Sequence, residues 1–170
     1  MQQPVARLLT AFLALALTGL TPAHAGLDRT ERAIARHAAA GQGAAEALLQ
    51  RTVDIASPTE DTSGVRAVGE VFAGELRAIG FRTRWVELPA GMKRAGHLVA
   101  ETDGSRGKRL LLLGHIDTVL AGERFRREGT RAFVTGTADM KGGAVVMVQA
   151  LKALHAAGVE YEVVPGITAA

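Results

Sequence analysis

Lys108-Arg109-Leu110-Leu111-Leu112-Leu113-Gly114-His115-Ile116-Asp117-Thr118-Val119 is the stretch on which the fold turns. Four consecutive leucines between a basic pair and a glycine suit a central strand buried on both faces, since a strand covered on one face alternates apolar with polar residues. Upstream, residues 27–55 read as helix, broken near Gly41-Gln42-Gly43 and ended by Ser57-Pro58-Thr59, because a proline disfavours helix in the residue before it. A second helix is predicted over 64–79, where Val65, Val68, Phe72, Leu76 and Ile79 recur at helical spacing and Gly80 can cap the end. Residues 81–88 alternate as a strand does, His97-Leu98-Val99-Ala100 reads as another, and Asp103-Gly104 as a turn. Downstream, residues 125–134 suit a hairpin turning at Glu128-Gly129. Residues 142–157 suit a helix with Val145, Val148, Leu151 and Leu154 inward and Gly158 closing it, and residues 161–164 a last short strand. Helix and strand alternate, so the expected fold is α/β: a partial three-layer sandwich with helices over a mostly parallel or mixed sheet. In such sheets chemistry collects at the carboxyl ends of strands.

Composition narrows the function. The chain has 170 residues, 48% of them hydrophobic and 22% charged, with a net charge of +3. No basic patch interleaves with aromatics, so nucleic acid is not an expected partner. There is no cysteine, so any metal must be held by His, Asp and Glu. Arg7, the apolar run of residues 8–17, and Ala23-His24-Ala25 have the three-part layout of a secretory signal peptide cleaved after Ala25. The run is short for a bilayer span, so export to the periplasm or medium is expected, with no stable membrane association once residues 1–25 are removed.

Two elements can carry chemistry. His115 and Asp117 lie just beyond the leucines, and in extended backbone residues two apart point to the same side. A carboxylate there can accept the N–H of the ring nitrogen that does not bind metal, which fixes the tautomer. The same His-x-Asp also suits a simple hydrogen-bonded loop. Asp139, in Gly136-Thr137-Ala138-Asp139-Met140-Lys141-Gly142-Gly143, opens a helix. It could cap that helix, or its two oxygens could bridge two cations. His37 and His155 read as solvated, His97 as a strand-opening loop residue, and Lys141 as a surface or loop-bracing charge. Asp54 and Glu60 have no evident partner.

Taken together, Gly-His-Ile-Asp-Thr-Val after leucines and Gly-Thr-Ala-Asp-Met-Lys-Gly-Gly before a helix closely resemble the zinc metallopeptidases of the glutamate carboxypeptidase, aminoacylase and succinyl-diaminopimelate desuccinylase family. Ile55-Ala56-Ser57-Pro58-Thr59 and Leu76-Arg77-Ala78-Ile79-Gly80-Phe81 extend the resemblance over residues 44–158. It implies a hydrolase that cleaves an amide next to a free carboxylate in a small peptide or N-acyl amino acid. It implies two zinc ions in a complete site, with cobalt as a substitute, and homodimers in a full-length protein. Carried over by position, His115 ligates one zinc, Asp139 bridges both, and Asp117 orients His115 and so is placed in the catalytic machinery. The remaining parts implied are a Glu-Glu pair ending the strand after residues 142–157, two later ligands, and a lid domain with a substrate-binding histidine.

Residues 159–170 depart from that pattern. Glu160 and Glu162 flank Tyr161 at the start of the strand rather than adjoining at its end. Glu162-Val163-Val164-Pro165-Gly166-Ile167-Thr168 faintly resembles a segment of tetrapyrrole (uroporphyrinogen-III) methyltransferases. The expected division is therefore residues 1–25 signal peptide, 26–158 the first part of a zinc peptidase catalytic domain, and 159–170 an atypical tail at a chimeric join. A truncated chain, inactive alone, is the expectation. A non-enzymatic remnant and a methyltransferase fusion are the alternatives.

Overall fold

The computed structural model describes residues 26–103, 109–120, 122, 124–159 and 162–165. The proposed signal peptide, Gly104 and Tyr161 lie outside them. Helix α1 spans Arg29–Ala40, α2 Gln42–Val53, α3 Thr62–Arg77 and α4 Gly142–Ala156. The strands are β1 Arg82–Val86, β2 His97–Glu101, β3 Arg109–Leu112, β4 Arg126–Glu128, β5 Arg131–Phe133 and β6 Glu162–Pro165. The predicted break between the first two helices falls at Gly41, and the expected helix, strand and hairpin all occur within about three residues of their predicted bounds.

Local chemistry accounts for the boundaries. Asp28 caps α1 in a reciprocal box, accepting from the Glu31 N–H at 2.7 Å while the Glu31 carboxylate accepts from the Asp28 N–H at 2.8 Å. Asp61 caps α3 by accepting from the Gly64 N–H at 3.0 Å. Bonds from the Ser63 hydroxyl and that amide hold its carboxyl below the usual range. Gly80 takes a φ of 90° directly after α3, a value that other residues rarely adopt. Gly129 opens the two-residue turn of the β4–β5 hairpin at φ 58°.

The core forms where α2, α3 and α4 converge. Leu48, Val68, Phe72, Ala144, Val145 and Val148 are buried together there. Glu75 on α3 ties the same helices from outside, accepting from Arg51 on α2 and Lys152 on α4. Partial burial pushes the Glu75 carboxyl up, but the bonds from Lys152 and Arg51 outweigh it and leave the pKa lowered. On its other side, α3 packs on β1 and β2, which pair antiparallel from Arg82↔Glu101 to Val86↔His97. A Cβ at Gly69 would lie 2.5 Å from the Trp85 ring, so glycine permits this close approach.

The strands form one parallel pair, β3 with β6, and two antiparallel pairs, β1–β2 and β4–β5. The fold is α/β, but among the described residues the strands make three separate two-stranded sheets rather than the single parallel or mixed sheet expected. The leucine strand corrects an expectation. Leu110, Leu111, Leu112 and Leu113 are 57, 52, 38 and 53% exposed, rather than buried on both faces. The physical reason is the placement of the layers. The helices pack on one another and, through α3, on β1 and β2, leaving β3 paired along one edge by β6 among the described residues.

That difference has an energetic signature. Leu48→Ala should destabilise the protein by about 3 kcal/mol, because its side chain is fully enclosed. Leu111→Ala should cost less than about 1 kcal/mol. Urea unfolding of the two variants compares them directly, and equal losses would show that β3 is covered in solution.

Candidate metal centre

The site begins where β3 ends. Residues 113–117 continue as extended loop, held from the side by the Ser-Pro-Thr turn. Pro58 and Thr118 form a parallel bridge, in which the Thr118 N–H donates to the Ser57 carbonyl at 2.8 Å and the Thr59 N–H to the Thr118 carbonyl at 3.1 Å. The buried Ser57 hydroxyl donates to the Ile116 carbonyl at 3.0 Å. This arrests the loop on both sides of Asp117. Gly114 carries no side chain because a Cβ would lie 2.8 Å from Met140 Cε and 2.9 Å from Met147 Cε. The histidine loop and the Asp139 loop therefore meet at close range.

The second loop is built around a buried cation. Gly136, at φ 85°, turns the chain into the wide turn Thr137–Lys141, with the Lys141 N–H donating to the Gly136 carbonyl at 2.8 Å. Lys141 is only 1% exposed. Its Nζ donates to the Thr52 carbonyl at 2.8 Å and the Ile55 carbonyl at 2.9 Å, at the end of α2. Those carbonyls lack partners within the helix, and the helix C-terminus favours a cation. Lys141 is thus the loop brace expected, but it is buried rather than on the surface. Burial lowers its pKa from 10.5 to about 8.

Asp139 sits in this turn and does not cap α4, whose N-cap is Lys141 with no side-chain capping bond. The Asp139 side chain turns instead to His115, with Oδ1 2.7 Å from Nε2. On the other side of the ring, Nδ1 lies 3.1 Å from the Asp117 carbonyl oxygen and 3.3 Å from Asp117 Oδ1. The second Asp117 oxygen, Oδ2, accepts from the Thr59 hydroxyl at 2.7 Å. All three residues singled out from the sequence are therefore in one place, 24 residues apart at the widest His115–Asp139 step. Partial burial presses the His115 pKa down. The bond to Asp139, the Asp117 carbonyl and the charges of both carboxylates outweigh it, so the pKa is raised above its ordinary 6.5.

The donor chemistry suits a divalent metal, since an imidazole nitrogen and an exposed carboxylate converge with no thiol nearby. They make part of a site. Among the described residues no group of three or more His, Asp or Glu side chains is arranged to hold an ion. His97 is buried at the head of β2, and His37 and His155 are exposed. Asp54 does have a partner, accepting from the Phe125 N–H at 2.8 Å.

Comparison with known proteins finds similar sequences and folds. The family model described as Peptidase family M20/M25/M40 matches residues 111–165, which include His115, Asp117, Asp139 and β6. Residues 111–165 are an M20-type peptidase segment. Carboxypeptidase G2 from Pseudomonas sp. (strain RS-16) is 34% identical over 155 residues, covering 88% of this chain and 37% of that protein. The fold is similar to that of the di-peptidase Dug1p from Saccharomyces cerevisiae, with a TM-score of 0.67 and 15% identity over 79% of this chain and 33% of that one. It is also similar to aminopeptidase PepT from Bacillus cereus, with a TM-score of 0.59 and 15% identity over 72% and 35%. The chain thus spans about a third of the length of each of these proteins.

The site contains residues that sequence reasoning left without a role. Thr59 and Ser57 were legible only as a turn, and their bonds to residues 116–118 join positions 58 or 59 apart. Nothing in a single sequence marks that pairing. The burial of Lys141 had a faint signal, a lone lysine between Met140 and two glycines.

Two pH effects follow. A raised His115 pKa means that the imidazolium–carboxylate contacts stabilise the metal-free fold fully below pH 6.5 and are lost as pH rises through the folded pKa. Proton NMR titration should therefore place His115 above 6.5, and Asp139→Asn should bring it down. Lys141 runs the other way. Between its folded pKa of about 8 and its ordinary 10.5, the unfolded chain binds more protons, so its contribution to stability rises with pH. Urea unfolding at the two ends of that window should show a gain of roughly 3 kcal/mol that is missing in Lys141→Met.

Proposed function

We propose that this chain forms the first part of the catalytic domain of an exported, zinc-dependent hydrolase that cleaves an amide bond next to a free carboxylate. The observation that carries the reading is the contact of His115 Nε2 with Asp139 Oδ1 at 2.7 Å, which brings the two motif residues together across separate loops. His115 and Asp139 are the proposed ligands, with Asp139 shared between two ions, and Asp117 is the proposed orienting carboxylate. Zinc is the proposed metal, with cobalt able to replace it. A metal bound there would polarise a substrate carbonyl and acidify a water.

The chain's own residues supply the positioning. Asp117 keeps a proton on Nδ1 and so leaves the Nε2 lone pair available. The exposed Asp139 carboxylate can move from the imidazole to a cation, because its side chain is 80% exposed. Lys141 anchors the loop that carries it. The similarity to Carboxypeptidase G2 supports a peptide substrate, and the motif resemblance adds N-acyl amino acids. The order of Arg7, an apolar run and Ala23-His24-Ala25 supports export with cleavage after Ala25.

A polypeptide of these 170 residues should not hydrolyse dipeptides, C-terminal glutamates or N-acyl amino acids above a zinc blank. The Glu-Glu pair that the family resemblance implies as the source of the base has no counterpart in its sequence, and a missing general base alone is worth about 100- to 10,000-fold. Metal-dependent turnover lost on His115→Ala and Asp139→Ala would overturn that expectation. Restoration of turnover by a longer chain carrying the pair and the lid, again lost in those variants, would support the function.

A further inference from the structure

We propose that Thr59 is a positioning residue for the metal-binding imidazole, acting through Asp117. The inference rests on the reading of His115 as a ligand and assigns a residue that this reading does not use.

The geometry divides the Asp117 carboxylate between two partners. The Thr59 hydroxyl donates to Oδ2 at 2.7 Å, while Oδ1 lies 3.3 Å from His115 Nδ1. The Asp117 side chain is 15% exposed, so Thr59 stands where water would otherwise satisfy the second oxygen. Thr59 is itself held in place, because its N–H donates to the Thr118 carbonyl and Pro58 bridges Thr118. The hydroxyl is thus carried on a backbone segment bonded to the residues on either side of Asp117.

The chemical consequence concerns one proton. A neutral imidazole has a single N–H, and two aspartates compete for it: Asp117 at Nδ1, with its carbonyl 3.1 Å and its Oδ1 3.3 Å away, and the Asp139 carboxylate at Nε2. Only the tautomer with the proton on Nδ1 leaves Nε2 able to take a metal. Asp139 is largely in water, which weakens its hold, whereas Asp117 is enclosed. Thr59 keeps Asp117 from rotating away from the ring. Without the hydroxyl the carboxylate turns, the Asp117 carbonyl is left to hold the Nδ1 proton without the added carboxylate charge, and the proton shifts toward Nε2.

The test uses the intact, nitrogen-15-labelled protein, freed of metal, at a pH above the titration of His115, with ring-nitrogen shifts as the readout. Wild type and Thr59→Ser should both carry the proton mainly on Nδ1. Thr59→Val keeps the shape and removes the donor, and should move the tautomer ratio at least about threefold toward Nε2–H. Thr59→Ala is a second donor-free variant in case the valine is not accommodated, and thermal melts confirm that each variant is folded. Cobalt(II) titrated into the same samples should bind about tenfold more weakly to the donor-free variants, the low end of the loss for groups behind a metal ligand. The proposal is overturned by donor-free variants with the wild-type ratio, by a serine variant that shifts as valine does, or by a wild type already protonated on Nε2. If wild type binds no cobalt, His115 and Asp139 do not suffice to hold an ion in this chain, and the tautomer ratio by itself decides the role of Thr59.

Discussion

One buried ammonium holds the two halves of the site in register. Lys141 reaches from the Asp139 turn to the last carbonyls of α2, and both acceptors lie within hydrogen-bond distance of Nζ. The pairing answers two needs at once. The end of a helix leaves carbonyls without partners and carries partial negative charge. A buried lysine needs donors satisfied and charge compensated. Its lowered pKa shows that compensation is incomplete, so the arrangement carries a cost that the surrounding packing must offset.

From that anchor the site is reached in two short steps. Lys141 fixes the turn that presents Asp139, and the start of α4 follows directly, its buried valines filling the same core as Leu48, Val68 and Phe72. The Ser57–Thr59 turn, just past α2, grips the loop that presents His115. Helix α2 and its exit therefore position both loops. Errors in its packing would be felt as errors in the His115–Asp139 distance, and the close contacts at Gly114 and Gly136 are part of the same fit.

The electrostatics follow the same economy of parts. His115 sits between a shielded carboxylate and an exposed one. The shielded one orients, because little water competes with it. In the proposed function the exposed one exchanges the imidazole for a cation. Two aspartates of the same chemistry thus take different parts through burial alone.

The sequence by itself determined the helices, the hairpin and the strand before His115, and it singled out three residues that the structure brings together. Those features are local: a 3.6-residue period, a two-residue alternation, a glycine where φ must be positive, and two short motifs. Only the tertiary structure decided between Asp139 as a cap and Asp139 as a partner of His115, because both uses fit a carboxylate just ahead of a helix. It also decided the exposure of Leu110–Leu113, the burial of Lys141 and the bond from Thr59 to Asp117. Each depends on which segments become neighbours across 24 to 86 or more residues of chain, and no local period encodes that. A run of leucines states what a strand would tolerate around it. Its neighbours decide what it receives.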